Sequence, residues 1–328
     1  MQAAYIDDFG PPDAIRHGEL PPPVPGPTDV LVDTLATTVN PVDTFIRAGT
    51  WRTGVTFPFV VGRDLVGTVA SVGPGATGFA VGDRVWCNSL GHEGRQGAAA
   101  ERAVAPVDRL YHLPDGVRPT DAAAVLHPSA TGYLALFTHG RLRAGETVLV
   151  AGAAGNVGSA LVVLAAEAGA RVLATARTED EEHCLRLGAT AVIDYRDPRL
   201  PEQIRELSPH GVDLVVDTSG HNDMTAAVDL LAFRGRIVLL AGLRSRPVLP
   251  VGPLYLKDGS VTGFVISRAT TAELAEAART LNRLMAAGRL RARAVEERPL
   301  STAAEAHARL EKGELNGRRI VLLPDRLL

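Results

Sequence analysis

A glycine-rich stretch between an apolar strand and an apolar helix is the strongest chemical signal in the sequence. Its residues are Ala151-Gly152-Ala153-Ala154-Gly155-Asn156-Val157-Gly158. Glycines at such a turn let the backbone approach a pyrophosphate, whose negative charge is stabilised at a helix N-terminus. The spacing departs from Gly-x-Gly-x-x-Gly because Ala153 takes the first glycine position, and a tight strand–helix turn could use the same glycines. Because further strand–helix units follow, we predict a dinucleotide site whose residues are Gly155, Asn156, Val157 and Gly158.

The end of the next strand indicates which dinucleotide would bind. An NAD site carries Asp or Glu about 20 residues beyond the glycines, where the carboxylate binds the ribose 2′-hydroxyl. This chain has Thr175-Ala176-Arg177 instead, and a guanidinium suits a 2′-phosphate. The acidic residues that follow belong to Thr178-Glu179-Asp180-Glu181, a capping-box pattern that predicts a structural role at the start of a helix. We therefore predict NADP(H) as the cofactor, with Arg177 beside its phosphate.

The elements that must position these residues fall into three zones. Residues 1–126 hold short β-like runs broken by Gly and Pro, residues 127–266 alternate strands with helices, and residues 267–328 hold a long helix and a last strand. The strands of the middle zone are continuous apolar runs, which parallel strands covered by helices on both faces require. The sequence predicts a doubly wound parallel α/β sheet inserted into a discontinuous β-rich domain. The last strand, residues 319–323, is expected at a sheet edge.

Composition excludes several classes of protein. The chain has 328 residues, 46% apolar and 22% charged, which indicates about two globular domains rather than disorder. Its 34 basic and 37 acidic residues create no overall field for nucleic acid, so no such partner is expected. A secretory signal and a run of about 18 apolar residues are both missing, so we expect a cytoplasmic protein without a membrane partner. The two cysteines, Cys87 and Cys184, exclude a disulfide framework.

Short motifs spread over the whole length carry a family resemblance. They are Asn40-Pro41-Val42-Asp43, the glycine turn, and residues 62–69, 81–85, 130–133, 306–311 and 317–322. In this order they resemble the medium-chain dehydrogenase/reductase superfamily, in its zinc-free quinone oxidoreductase (zeta-crystallin-like) branch. The resemblance implies a GroES-like catalytic domain in two segments, a Rossmann nucleotide-binding domain between them, and a homodimer.

Metal chemistry divides this superfamily. Zinc-dependent members hold a catalytic zinc with a Cys near position 40, a Gly-His-Glu motif near position 62 and a later Cys or Asp. Here the segment 40–43 has no thiol, and Arg63-Asp64 replaces His-Glu. His127 falls near the third ligand position, but the other ligand positions carry no zinc ligand. His92 stands on a glycine-flanked loop that we expect at the surface. Zinc needs three or four protein ligands, so we predict no metal.

Without a metal to polarise an alcohol oxygen, hydride addition to an already electrophilic acceptor is the easier reaction. A quinone or α,β-unsaturated ketone takes hydride and spreads the charge onto oxygen, and solvent can supply the proton. The resemblance places Asn40 and Thr131 in the cleft for nicotinamide and substrate, with Asn40 as a donor to the acceptor oxygen. Asp43 belongs to the same segment, where a turn or domain-closing hydrogen bond is an equally good interpretation.

The same resemblance assigns further cofactor contacts to residues that follow the later strands. They are Tyr195 beside the 2′-phosphate, Thr218, Gly242 and Leu243 along the adenosine and nicotinamide, and Phe264 and Ile266 at the carboxamide.

Two classes of function remain open at this point. The first is an enzyme: an NADPH-dependent reductase of quinones or enones, or an enoyl reductase acting on a polyketide-type or acyl intermediate. The enoyl reductases often carry a lysine close to the nicotinamide, and this chain has no lysine before Lys257. The second is a non-enzymatic, crystallin-like NADPH-binding protein.

Overall fold

The structure is a computed structural model that describes residues 1–327. The strands are β1 (Gln2–Ile6), β2 (Arg16–Glu19), β3 (Asp29–Thr38), β4 (Phe59–Val60), β5 (Leu65–Val72), β6 (Arg84–Cys87), β7 (Arg102–Pro106), β8 (Tyr111–His112), β9 (Thr147–Ala151), β10 (Arg171–Ala176), β11 (Ala191–Asp194), β12 (Val212–Asp217), β13 (Leu231–Leu239), β14 (Ser260–Gly263), β15 (Ala294–Pro299) and β16 (Arg318–Leu323). The helices are α1 (Pro41–Arg47), α2 (Pro119–Tyr133), α3 (Asn156–Glu167), α4 (Glu181–Leu187), α5 (Leu200–Leu207), α6 (Met224–Leu230), α7 (Val251–Leu256), α8 (Thr271–Ala286) and α9 (Ala303–Glu311).

The chain divides into two compact units. Unit 1 comprises Met1–His127 and the segment from Thr270 onward, and unit 2 comprises Pro128–Ala269. None of the helices within residues 1–327 combines the length and apolarity needed to cross a bilayer.

Unit 2 is built on a six-stranded parallel sheet in the order β11-β10-β9-β12-β13-β14. Its central strand β9 buries Val148 and Val150 completely, because helices cover both faces of the sheet. From β9 the chain adds β10 and β11 on one side and then β12, β13 and β14 on the other side. The switch point therefore lies between β9 and β12, and sheets of this kind bind ligands there. The predicted doubly wound sheet is confirmed.

Unit 1 is mainly antiparallel. One sheet follows the path β15-β16-β3-β5-β6-β8 with β7 also paired to β3, and in a smaller sheet β1 lies between β2 and β4. Strand β16 lies between β15 and β3, so the expectation that residues 319–323 form an edge strand is wrong. The physical reason is that Ile320, Val321 and Leu322 are consecutive apolar residues, all buried, which only an interior strand can cover on both faces.

The helix after β10 also differs from its prediction. Thr178–Asp180 forms a 3-10 turn, and α4 begins at Glu181. The Thr178 hydroxyl donates to Asp194 Oδ2 at 2.7 Å instead of capping its own helix. The capping-box prediction at Thr178 is wrong because a carboxylate from the neighbouring strand β11 supplies a stronger, charged acceptor.

Candidate functional site

The glycine turn connects β9 to α3 and is held in place by close packing. Gly152 adopts a left-handed backbone with φ of +80°. A Cβ at Gly158 would overlap the carbonyl oxygen of Gly152 and lie 2.7 Å from Ala153 Cα, so only glycine fits there. Helix α3 begins at Asn156, with Gly155 as its N-cap. The N–H groups of this first turn have no acceptors within the helix, and they can therefore bind a phosphate.

Thr218 supports this turn from the adjacent strand. It follows β12, and its Oγ1 donates to the carbonyl oxygen of Ala151 at 2.7 Å and approaches that of Gly152 at 3.3 Å. The structure therefore brings Thr218 and the glycine turn together at the switch point. Its hydroxyl is used to position the backbone of the turn.

Arg177 and Tyr195 come together at the next strands of the same sheet edge. They follow β10 and β11, which are neighbours paired with Ala176 opposite Asp194. Arg177 donates from Nε to Asp180 Oδ2 at 2.9 Å, and the Tyr195 side chain is 53% exposed. The residues predicted for the 2′-phosphate thus lie at one sheet edge, where Arg177 is already paired with an acid.

A second arginine, missed by the sequence reasoning, joins this cluster. Arg196 Nη2 donates to Asp194 Oδ2 at 2.7 Å and lies 3.5 Å from Glu179 Oε2. Its hydrogen bonds hold the pKa of Asp194 well below the ordinary value. The sequence signal for Arg196 was its position just after β11, the strand that pairs with β10. The cluster therefore contains two guanidinium groups and three carboxylates, those of Glu179, Asp180 and Asp194.

The remaining predicted cofactor residues follow the ends of β13 and β14. Gly242 has a φ of +87°, and a Cβ there would overlap the Asn222 side chain. Leu243 is exposed, and the Phe264 ring stacks on His139 with centroids 4.3 Å apart. Ile266 is buried. These residues follow consecutive parallel strands, so they share the carboxyl edge of the sheet with the glycine turn.

Thr131 and Asn40 belong to different units. Thr131 lies near the end of α2 in unit 2 and is buried. Asn40 is the N-cap of α1 in unit 1, and Asp43 follows it on the first turn. Asp43 Oδ2 accepts the backbone N–H of Asn40 at 2.7 Å, which orients the segment after β3. Burial raises the pKa of Asp43 to about 7, against the lowering effect of that hydrogen bond and of the Arg63 charge.

The Asn40 side chain is almost fully engaged. Its Oδ1 accepts from Arg319 Nη2 at 2.8 Å, and its Nδ2 donates to Asp64 Oδ2 at 2.8 Å. The other amide hydrogen has a long 3.5 Å contact with Thr38 Oγ1. An amide carries two donors, so Asn40 can donate one further hydrogen bond at the cost of only that long contact.

Arg319 organises this buried network, and the sequence reasoning missed it. Its guanidinium donates to the carbonyl oxygens of Ala124 at 3.1 Å and Val39 at 3.3 Å, as well as to Thr38 Oγ1 at 3.0 Å and Asn40. It also lies 4.0 Å from Asp64 Oδ2. Burial raises the pKa of Asp64, and the hydrogen bonds from Asn40 and Thr38 oppose that shift.

The residues near Asn40 do not fit a zinc site. Within residues 1–327, no three His, Cys, Asp or Glu side chains are arranged to hold a metal ion. Arg63 places a buried cation beside Asp64, and the charges of Arg63 and Arg319 add to burial in lowering the pKa of His127. No chemical step is therefore assigned to a metal.

His92 differs from its prediction. It is only 7% exposed, and its Nδ1 lies 2.9 Å from Thr53 Oγ1. The expected surface position is wrong because this hydrogen bond compensates the burial of the ring. Burial also lowers the pKa of His92 to about 4, so the ring is neutral at pH 7.

Comparisons with known proteins agree with this architecture. A family model described as alcohol dehydrogenase GroES-like domain matches residues 26–115, and one described as zinc-binding dehydrogenase matches residues 156–283. Human quinone oxidoreductase is 31% identical over 98% of each chain. The structure of Escherichia coli quinone oxidoreductase complexed with NADPH is similar at a TM-score of 0.85 and 27% identity, covering 99% of this chain and 100% of that one. A phthioceranic/hydroxyphthioceranic acid synthase of Mycobacterium bovis is 32% identical over 92% of this chain and 14% of its own length.

Proposed function

The chain belongs to the quinone oxidoreductase branch of the medium-chain dehydrogenase/reductase superfamily, and from this we propose that it reduces quinones or α,β-unsaturated carbonyl compounds with NADPH and without zinc. The predicted family is confirmed, and the protein is an oxidoreductase. The observation that carries the proposal is the sheet edge of unit 2. There, Gly158 has no room for a side chain, and Arg177 stands where an NAD site has an acid.

NADP(H) is the cofactor, as the NADPH complex of the E. coli neighbour supports. The first turn of α3 would hold the pyrophosphate through the N–H groups of Asn156, Val157 and Gly158. Arg177 would bind the 2′-phosphate, with Tyr195 beside it. Bound NADPH supplies the hydride, and the protein orients it.

In unit 1, Asn40 is proposed to donate its remaining amide hydrogen to the acceptor oxygen as negative charge develops there. The Arg319 guanidinium polarises this amide by donating to Oδ1, which makes the N–H a better donor. Asp43 then acts as a positioning residue through the backbone of Asn40. Thr131 in unit 2 stays proposed as an acceptor-site residue. Each of these assignments suits an acceptor that is already electrophilic.

Zinc independence is part of the proposal. It is supported by the residue types around Asn40, where Arg63-Asp64 stands in place of His-Glu and no ligand set is assembled among the described residues. Alcohol oxidation at neutral pH would need a polarised oxygen, which makes conjugated acceptors the better match.

An acceptor panel tests the proposal. We expect NADPH oxidation with 9,10-phenanthrenequinone, 1,4-benzoquinone and 3-penten-2-one. The similarity to one segment of the mycobacterial synthase favours an enoyl reductase as the second candidate, so crotonyl-pantetheine belongs in the same panel. Turnover of the thioester alone would favour the second candidate. Tight NADPH binding without turnover of any acceptor would contradict both and indicate a non-enzymatic binding protein.

A homodimer is also proposed. On unit 2, α7 carries the exposed side chains of Val251, Tyr255 and Leu256, and β14 ends the sheet without a further strand. Exposed apolar side chains beside an open sheet edge favour association with a second copy. Sedimentation equilibrium should give twice the chain mass of 34.6 kDa. A cytoplasmic location and the lack of a nucleic-acid partner remain predictions.

Cofactor choice gives a separate prediction. Arg177→Ala should raise the KM for NADPH about 10- to 100-fold, because it removes a charge-assisted hydrogen bond to the 2′-phosphate. The KM for NADH should change by less than about twofold, since NADH lacks that phosphate. Steady-state kinetics with 9,10-phenanthrenequinone measures both values.

The matched control is Arg186→Ala, which removes an exposed arginine of α4 that lies 3.8 Å from Glu182. It should leave both KM values unchanged. An equal rise for NADPH and NADH in Arg177→Ala would overturn the assignment of Arg177.

A further inference from the structure

Arg63 in unit 1 is a buried cation for which the protein supplies no acceptor. It lies in the segment that connects β4 to β5, and it is only 1% exposed. None of its three guanidinium nitrogens forms a hydrogen bond with any described residue. By contrast, the buried Arg319 has four partners, and the buried Arg47 pairs with Glu311. A buried charge without partners costs several kcal/mol, so an unsatisfied guanidinium needs an explanation.

The acids near Arg63 each bind other donors through one oxygen, and Asp64 Oδ1 forms no hydrogen bond with any described residue. Asp43 and Asp64 both act on its charge, yet neither forms an ion pair with it. Asp64 Oδ2 accepts from Thr38 at 2.7 Å and from Asn40 at 2.8 Å. Asp43 Oδ2 accepts the Asn40 backbone N–H at 2.7 Å. None of these hydrogen bonds uses the donors of Arg63.

The net charge of the buried groups around Arg63 is compatible with binding one anion. Arg63 and Arg319 oppose Asp43 and Asp64, while Arg95 and Cys87 act more weakly on the pKa of Arg63. Burial raises the pKa of Asp43 to about 7, so near neutral pH this group is often protonated. His92 and His127 have lowered pKa values and are neutral at that pH. With Asp43 protonated the four central groups carry one net positive charge.

We propose that Arg63 binds the carboxylate of the acceptor, so that the enzyme prefers conjugated carbonyl compounds that also carry a carboxylate. A guanidinium presents parallel N–H donors that match the two oxygens of a carboxylate, and all three buried nitrogens of Arg63 lack a hydrogen-bond partner among the described residues. Asp64 is adjacent in sequence to Arg63 and holds the Asn40 amide, which links this group to the residue proposed for the carbonyl oxygen. The inference rests on the proposed function and narrows its substrate class.

A pair of enones tests the proposal. 4-Oxopent-2-enoate and 3-penten-2-one share the conjugated ketone and differ in the carboxylate. We expect wild-type kcat/KM to favour the keto acid, and Arg63→Met to lower kcat/KM for it about tenfold or more, mainly through KM. The value for 3-penten-2-one should stay within about twofold to threefold, since it makes no bond to the guanidinium. Arg63→Lys should restore part of the preference, because it keeps the charge without the planar fork.

Arg47→Met is the matched control, since it removes an equally buried arginine of the same unit. It should lower stability and leave the ratio of the two kcat/KM values unchanged. A wild-type enzyme that reduces both enones with no preference for the keto acid would overturn the inference while the proposed function stands. Equal losses on both enones in Arg63→Met would also overturn it, because the side chain would then act on the shared ketone or on the fold.

A second measurement uses the wild-type protein, in case Arg63→Met does not fold. At constant ionic strength, acetate should inhibit competitively against 4-oxopent-2-enoate and much more weakly against 3-penten-2-one. Acetate that raises the Tm of the protein without competing against the keto acid would show a site for free carboxylates only, and this too would overturn the inference. Lack of turnover with every acceptor would instead contradict the proposed function.

Discussion

Arg319→Met is expected to lower the free energy of unfolding by about 3–5 kcal/mol, the cost of breaking a buried ion pair by removing one partner. The variant would remove one of the two cations that act on the buried Asp64 and would leave the carbonyl oxygens of Val39 and Ala124 without their donor. It would also release Asn40 Oδ1, so quinone turnover should fall with stability. Denaturant unfolding followed by circular dichroism measures the first effect.

Its control is Arg318→Met, which changes the neighbouring residue of β16 that faces solvent. That variant should change the free energy of unfolding by less than about 0.5 kcal/mol. The double variant Arg319→Met with Asp64→Asn should lower the free energy of unfolding by less than the sum of the two single variants. The reason is that each single variant leaves the charge of the remaining partner less compensated. A loss below about 1 kcal/mol for Arg319→Met would mean that the network contributes little to stability.

Gly158→Ala is expected to weaken NADPH binding about tenfold or more and to lower the free energy of unfolding by about 1–3 kcal/mol. A Cβ at this position would overlap the Gly152 carbonyl oxygen and press on Ala153, so the start of α3 must move away from β9. That movement displaces the N–H groups that would hold the pyrophosphate. Titration of NADPH fluorescence and thermal unfolding measure the two effects.

Gly155→Ala is the control from the same turn. Gly155 has a φ of −72°, and a Cβ there would meet only the Gly152 carbonyl oxygen at 3.3 Å. This variant should keep the fold and lose less than about threefold in NADPH affinity. Equal effects of the two substitutions would indicate that the tight packing at Gly158 does not determine the binding geometry.

The parallel sheet and the glycine turn could be predicted because their signals are local. Continuous apolar runs such as residues 147–151 require cover on both faces, and glycines after a strand indicate a close backbone approach. The same rule, applied to residues 320–322, would have placed β16 inside its sheet. The edge prediction failed because it used the position of the strand in the chain and not its apolar pattern.

The network around Asn40 could not be predicted, because it depends on contacts between distant parts of the chain. Arg319 is separated from Asn40 by 279 residues, and Asp64 is separated from it by 24. In a chain with 34 Lys and Arg residues, one more arginine carries little local signal. His92 was misplaced for a similar reason, since its partner Thr53 is 39 residues away. The hydrogen bond of Asp43 could be predicted because its partner, Asn40, is three residues away. Its burial could not be predicted because it depends on distant parts of the chain.

The most direct measurement of the central claim follows the transferred hydrogen. The enzyme is dialysed against a chelator and supplied with 3-penten-2-one and NADPH deuterated at C4 of the nicotinamide, and the product is analysed by mass spectrometry and NMR. Hydride addition to a conjugated acceptor without zinc predicts 2-pentanone with deuterium at C4, the former β-carbon. A deuterated 3-penten-2-ol, or a reaction that proceeds only after zinc is added, would contradict the account.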